Sequence, residues 1–301
     1  MSKLMVVSVV VATRNRSSNV RRLLEGLVRQ ASPPTFEVVV ADNGSLDDTP
    51  AVIDSFRSEL ALRSVRVPEP GKGRALNAAL ALAQGEIIVF TDDDVIPQPD
   101  WLSELSRAAN DFPMHNVFGG RIEVDLAAVP GWIGRSFNLM GLLTSAHDKG
   151  GSPVTYGYAE YPFGPNMAVR RKLLAEGMRL YPEDMGPGTQ QPVGDETGFF
   201  LRISPPEAKD RLFVPSARVL HEVEPENVAF GKALKRCYQA GIAHGRLRLP
   251  AVARGALPED PSPSTAALIV QRLRSTRSVR ELACIASRYL GYRQGCRLGP
   301  G

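Results

Sequence analysis

Apolar residues fall into two alternating rhythms over the first third of the chain. Continuous, largely β-branched runs occur at Val6 to Ala12, Phe36 to Ala41 and Ile87 to Phe90, and Val65 and Val67 mark a shorter one. Runs of this kind suit strands buried on both faces of a mostly parallel sheet. Between them the apolar positions recur at helical spacing. Val20, Leu23, Leu24, Leu27 and Val28 share one face after a capping Ser17 or Ser18, and Val52, Ile53, Phe56 and Leu60 share another after Asp47 and Asp48. A third helix, alanine- and leucine-rich, is expected over Arg74 to Gln84, with Gly85 as its terminator. Four strands alternating with helices predict an open, doubly wound α/β fold, in which ligands lie across the carboxyl ends of the strands.

Polar residues gather at those ends. Thr13 and Asn15 follow the first strand, Asp42 the second, and Asp92, Asp93 and Asp94 the fourth, where Pro97 is expected to stop regular structure. Three adjacent aspartates repel one another, and a divalent ion with a preference for oxygen ligands, Mg2+ or Mn2+, offsets that repulsion while sharing a substrate's phosphates. Lys72 and Arg74, in a glycine-rich loop, are candidate cationic helpers. Neither a Gly-x-Gly-x-x-Gly after the first strand nor a Gly-x4-Gly-Lys-Ser/Thr occurs, so a dinucleotide fold or P-loop has no support.

Past Trp101 the pattern changes. Pro99-Asp100 opens a helix, Val117 to Val124 suits a strand, and Pro130 to Ala146 is an apolar segment expected to pack on the core as a helix or flap. Asn166 precedes a short strand, where it can bind a sugar or close a turn. A Pro/Gly-rich stretch from Tyr181 to Val193, a candidate mobile lid, leads into Asp195 and Glu196 at the start of a helix. Those carboxylates serve either as helix N-terminal anions or as a general base. The strand Leu212 to Leu220 delivers His221, a candidate metal ligand.

Composition narrows the classes. With 301 residues and 43% hydrophobic content the chain can bury a sizeable core, and no apolar run approaches the length of a membrane span. Together with an opening segment that lacks a cleavage site, this leads to the expectation of a cytoplasmic protein. Three cysteines, Cys237, Cys284 and Cys296, supply neither a disulfide framework nor a Cys-x-x-Cys metal site. From residue 228 onward thirteen Lys/Arg face three Asp/Glu, although the net charge of the whole is only +4. This basic extension, expected as helices over Val228 to Leu249 and Thr265 to Leu298 around a PEDPSPS linker, suits an anionic membrane surface through Arg272, Arg274, Arg277 and Arg280. The apolar positions Leu268, Ile269, Leu273, Val279, Leu282, Ile285 and Leu290 suit packing on the domain or on a second copy, as in a homodimer.

The segments VSVVVATRNR, VVVADNGSLDDT, GKGRALNAALALAQGEIIVFTDDD, FGPNMAVRR and VGDETGFFLR resemble, in order and spacing, the successive motifs of family-2 inverting glycosyltransferases. The resemblance implies the GT-A fold, a Rossmann-like sheet flanked by helices. Residues 1–227 would form that domain, divided into a nucleotide-binding half (1–115) and an acceptor half (116–227), with 228–301 as a helical extension. It further implies a nucleoside-diphosphate sugar donor, UDP-linked above all, a divalent metal, and transfer with inversion to a hydroxyl of a glycan, lipid-linked or small-molecule acceptor. A lipid-linked acceptor would place the enzyme at the inner face of the membrane. By similarity Asp42 would recognise the base, Thr13 and Asn15 would line the nucleoside pocket, and Asp92 and Asp94 would serve ribose and metal-diphosphate with Asp93 between them. Glu196 would be the base, with Asp195 beside it; their order is reversed relative to the commoner Glu-Asp, and Arg14 stands where the family often has an aromatic residue.

Other classes remain to be separated. A haloacid-type phosphatase needs Thr or Val where Ile96 sits. A non-catalytic sugar-nucleotide or glycan-binding protein would leave the second acidic site without a purpose. Specific nucleic-acid binding would explain the basic extension but not the acidic crevice.

Overall fold

The computed structural model describes residues 7–174, 179–253 and 278–298. Its elements in chain order are β1 (Val7–Thr13), α1 (Ser17–Val28), β2 (Phe36–Asp42), α2 (Thr49–Ser55), β3 (Leu62–Arg66), α3 (Lys72–Leu82), β4 (Ile87–Asp92), β5 (Val95–Pro97), α4 (Trp101–Asp111) and β6 (Val117–Val124). Then come α5 (Gly131–Gly134), α6 (Phe137–Thr144), β7 (Val154–Thr155), β8 (Met167–Arg170), α7 (Asp195–Ile203), β9 (Arg211–His221), α8 (Phe230–Ala253) and α9 (Val279–Leu298).

One mixed sheet runs in the order β3-β2-β1-β4-β8-β6-β9-β5, with β7 on β9. The first four strands are parallel, as the β-branched runs predict, and the crossover helices cover both faces. Odd-numbered valines of β1, Val7, Val9 and Val11, pack with Leu23, Leu24 and Leu27 of α1 and with Trp101 and Leu105 of α4. Val10 and Val39 point the other way, toward Ala75 and Ala79 of α3 and Phe199 and Phe200 of α7. This alternation is the two-residue period of a strand.

Two local expectations are corrected. The aspartates are not followed by irregular chain up to Pro97: the proline ends a further short strand, β5, in which Val95 pairs with His221 and Pro97 with Val219. Nor does Gly85 cap α3 in a left-handed turn, because that helix ends at Ala83 in an extended conformation. The Gly85 amide instead donates to Ser8 Oγ at 2.7 Å.

The apolar segment after β6 folds as α5 and α6 and packs as expected. Trp132, Ile133 and Leu139 form a third core with Val228, from the turn before α8, and with Ala233, Cys237 and Cys284 of α8 and α9. In that extension α8 and α9 meet through glycine. A Cβ on Gly241 would lie 2.0 Å from the Arg288 carbonyl, and one on Gly291 2.0 Å from the Tyr238 carbonyl; Gly245 and Gly295 make equally close crossings. Of the apolar positions expected to face a partner, Val279 and Leu290 are exposed. Leu268, Ile269 and Leu273, the PEDPSPS linker, and Arg272, Arg274 and Arg277 lie outside the described residues, while Arg280 stacks over Phe230. No described helix is long and apolar enough to cross a membrane.

Candidate active site

Strand register assembles the site. Thr13 pairs with Asp42 across β1 and β2, and Ala12 pairs with Asp92 across β1 and β4, so the polar ends of three strands stand level. His221 arrives from the far edge, because β5 turns back along β9 and the Glu222 amide donates to the Asp94 carbonyl at 2.9 Å. This brings His221 Nε2 to 3.3 Å from Asp94 Oδ1.

The three aspartates part company. Asp92 accepts from Lys72 Nζ at 2.5 Å. Asp93 turns inward, accepting from the Thr13 hydroxyl at 2.7 Å and from Arg16 at 3.1 Å. Asp94 takes the other Arg16 bond, at 2.7 Å. Burial, Asp94 and Asp92 push the Asp93 carboxyl up to about 6 against Arg16 and Thr13. For Asp94, burial raises the pKa, but His221 and Arg16 outweigh it and hold the carboxyl below its ordinary value. His221 is the counterpart: burial lowers its pKa, and Asp94 more than restores it.

Across the crevice lie the second pair of acids, in the first turn of α7. Burial raises Asp195 above the ordinary range. Glu196 is pushed up to about 7 by burial, with Asp195 and Asp92 adding to the rise and Lys72 opposing it. Glycine makes room for both carboxylates: a Cβ on Gly164 would meet Glu196 Oε1 at 2.1 Å, and one on Gly186, whose φ is +92°, would meet the Asp195 carboxyl at 2.7 Å. Lys72 is the shared cation. Burial alone would lower its pKa, yet Asp92, Asp195 and Glu196 together raise it.

A cavity of about 970 Å³ joins these groups, with Arg16, Lys72, Asp92, Asp94, Asp195, Glu196 and His221 on its wall. A smaller one, about 260 Å³, continues past Thr13, Arg14, Asn43 and Gly188. The loop over the crevice, expected as a mobile lid, is fastened at several points. Lys72 N donates to the Pro187 carbonyl at 2.9 Å, Asn77 exchanges bonds with the Tyr181 backbone, and Gln191 Nε2 donates to the Gln239 carbonyl at 2.9 Å.

Several residues singled out in the sequence do other work. Asn166 is fully buried; its side chain accepts from Trp101 Nε1 and donates to the carbonyls of Arg121 and Ala217, all at 2.9 Å. Both N–H groups and the carbonyl oxygen are thus engaged inside the fold, where the side chain joins β8 to the β6–β9 bulge. Arg74 leaves the crevice to pair with Glu183 of the overlying loop at 3.3 Å. Asn15 is exposed and accepts from the Leu46 amide at 2.7 Å. Asp42 accepts from the Ser45 amide at 2.8 Å and pairs with Arg66 at 3.2 Å; its neighbour Asn43 lines the smaller cavity. Arg16, one of several polar residues after β1 in the sequence, is the cation that partners the acidic turn after β4, through Asp93 and Asp94.

Among the described residues no three His, Cys, Asp or Glu side chains converge to hold an ion unaided. Asp94 and His221 nevertheless fit a divalent ion. Asp94 Oδ1 is buried without a hydrogen bond, and its 3.3 Å separation from an imidazole nitrogen suits two neighbouring ligands of one ion. Mg2+ and Mn2+ sites built from one or two protein ligands take their remaining positions from water and substrate phosphates.

The poly(ribitol-phosphate) β-N-acetylglucosaminyltransferase TarS of Staphylococcus aureus is 30% identical over 189 residues, 60% of this chain but 30% of that protein. Validoxylamine A glucosyltransferase of Streptomyces hygroscopicus subsp. limoneus is 35% identical over 118 residues, 38% of this chain and 26% of its own. The chain thus spans under a third of the length of these relatives. Among solved structures, the mannosyltransferase PcManGT of Pyrobaculum calidifontis, in complex with GDP-Man and Mn2+, superposes with a TM-score of 0.61 at 20% identity, covering 98% of this chain and 88% of that one. The profile of Glycosyl transferase family 2 matches residues 8–177, more than half of the sequence, and the chain belongs to that family.

Proposed function

We propose that this protein is a metal-dependent inverting glycosyltransferase, moving a sugar from a nucleoside-diphosphate sugar to an acceptor hydroxyl by direct displacement. The observation that carries it is the single cavity in which Asp94 and His221 face Asp195 and Glu196 across Lys72. In this reading residues 1–115 hold the nucleotide, with Thr13, Arg14 and Asn43 along the smaller cavity, and residues 116–227 present the acceptor.

The acceptor oxygen attacks the anomeric carbon, the bond from that carbon to the diphosphate breaks with its electron pair leaving on the diphosphate, and the acceptor proton passes to a carboxylate. A neutral hydroxyl is a poor nucleophile, so a base near pH 7 is needed. Glu196, raised to about 7, has that basicity, and Lys72 keeps it from rising further. Asp195, buried and with Oδ2 lacking a hydrogen bond, is the alternative base. A divalent ion held by Asp94 and His221 would stabilise the charge growing on the leaving diphosphate. Arg16 and Lys72 add fixed positive charge at the same end of the cavity.

A UDP-sugar is the proposed donor, since TarS has been solved with UDP-GlcNAc; PcManGT was solved with GDP-Man, so GDP-sugars belong in the test. The experiment is hydrolysis of a panel of UDP- and GDP-sugars with Mn2+, Mg2+ or EDTA, because slow transfer to water needs no acceptor. Metal-dependent release of one nucleoside diphosphate, lost in Asp94→Ala, is expected. Tight nucleotide binding that EDTA leaves unchanged, without turnover, would instead identify a sugar-nucleotide-binding protein.

A further inference from the structure

We infer that the acceptor carries a phosphate group, bound by Lys235 and Arg236 where α8 lines the larger cavity. The inference rests on the glycosyl-transfer reading and adds the chemical class of the acceptor to it.

Charge is unevenly distributed along this cavity. Of its acidic lining, Asp92 and Asp94 are paired with Lys72 and Arg16, while Asp195 and Glu196 stand on α7. Another part of the lining is a face of α8, along which Lys235, Gln239, Ala243 and Leu247 recur at helical spacing with Arg236 beside them. No acidic side chain lines that wall. Lys232 is paired with Glu226 at 3.2 Å, whereas Lys235 and Arg236 are exposed and form no ion pair among the described residues. Two exposed cations lining one cavity, without an acid on their own wall, make a site for an anion.

Position relative to the base supplies the second half of the case. The same face of α8 lies against the residue before Asp195, since a Cβ on Gly194 would come 2.8 Å from Ala243 and 3.4 Å from Leu247, and the charge of Arg236 opposes the rise that burial gives the Asp195 pKa. An anion held by Arg236 and Lys235 would therefore keep a hydroxyl of the same molecule in the part of the cavity that Glu196 faces. Arginine and lysine together suit a phosphate, the first through paired N–H groups and the second as a point charge. Leu142, Leu143 and Leu247 line the space between and would contact the carbon skeleton. The alternative is that Lys235 and Arg236 only balance the charge of α7.

Calorimetry on the protein saturated with UDP and Mn2+, which blocks the diphosphate site, separates these. The ligands are matched pairs: glycerol and glycerol 3-phosphate, ribitol and ribitol 5-phosphate, and octanol and octyl phosphate. The phosphorylated member should bind at least about tenfold more tightly, and Lys235→Gln/Arg236→Gln should erase most of the preference. A preference confined to octyl phosphate marks a lipid-borne phosphate, and one confined to the polyol phosphates a soluble or polymeric acceptor. Equal affinity within every pair, or a preference that survives in the double variant, overturns the inference. Failure of glycosyl transfer would show separately, as absence of metal-dependent donor hydrolysis.

Discussion

His221 Nε2 stands 3.3 Å from Asp94 Oδ1, although Asp94 lies in the turn between β4 and β5 and His221 ends β9, far along the chain. The contact exists because Val95, next to Asp94, pairs antiparallel with His221 itself. A backbone ladder thus fixes the separation of the two side chains, and neither needs a flexible loop to reach the other. That rigidity suits a metal site, where a ligand held in place costs no ordering on binding.

Removal of either ligand is expected to weaken metal before it weakens nucleotide. Asp94→Asn and His221→Ala should each lower Mn2+ affinity at least tenfold with UDP present, by analogy with the ~10–100-fold cost of disturbing a metal's supporting groups. Titration of free Mn2+ by electron paramagnetic resonance reads this directly. Unaltered Mn2+ affinity in both variants would move the ion elsewhere in the cavity.

Activity should fall on the acid side with an apparent pKa near 7. Glu196 must be ionised to take the acceptor proton, burial has pushed its pKa up to about 7, and so the active fraction is complete above that value and lost as pH falls through it. A pH profile of kcat/KM checks the sign. Glu196→Gln should lower kcat by ~10²–10⁴ and remove this acid limb. If Asp195→Asn removes it instead, while Glu196→Gln leaves it in place, Asp195 is the base.

Lys72→Met tests the coupling between the two acidic clusters. Lys72 touches Asp92 and lowers the pKa of Glu196, so its loss leaves the carboxylates facing one another with less neutralisation. The Glu196 pKa should then rise by roughly one unit or more, which a like-charge neighbourhood readily produces. Activity at pH 7 would drop and recover in part toward pH 9. A uniform loss at every pH would assign Lys72 to the substrate alone.

Much of this architecture was legible in the sequence because the period of the apolar residues is a direct image of burial. The four parallel strands, the helices between them, Val117–Val124 and the packing of the segment after Pro130 follow from that pattern. The convergence of Thr13, Asp42 and Asp92 also follows, since strand ends in a parallel sheet are level. What a side chain does at the end of a strand is less visible. Asn166 sits one residue before β8, where the sequence allows a sugar contact, but the bulge between Gly120 and Arg121 aims two backbone carbonyls and an indole at it. Arg74 and Lys72 are separated by one glycine, yet on a helix they point apart, one to Glu183 and the other to Asp92. Arg16 was hidden by its exposed neighbours in a run of polar residues. In the basic extension attention to apolar residues missed the glycines, which carry no hydrophobic signal and reveal their purpose only when a second helix lies against them.

Those glycines give a prediction about stability. At Gly241 a Cβ would meet the carbonyl of Arg288 at 2.0 Å and the amide of Tyr292 at 2.7 Å, and both are backbone atoms of α9 that cannot rotate aside. The helices must therefore separate, loosening contacts such as Ser287 Oγ to the Leu234 carbonyl at 3.1 Å and the buried meeting of Cys237 with Cys284. Overpacking of this kind costs about 1–3 kcal/mol, which for a chain of this size lowers the midpoint of thermal unfolding by several degrees. Gly231→Ala is the control, since nothing lies within 4 Å of its Cβ and alanine favours the helix by about 1 kcal/mol. Gly241→Ala should melt earlier than the parent protein and Gly231→Ala no earlier. Equal midpoints for Gly241→Ala and the parent would mean that α9 does not press on α8 as closely as the glycines require.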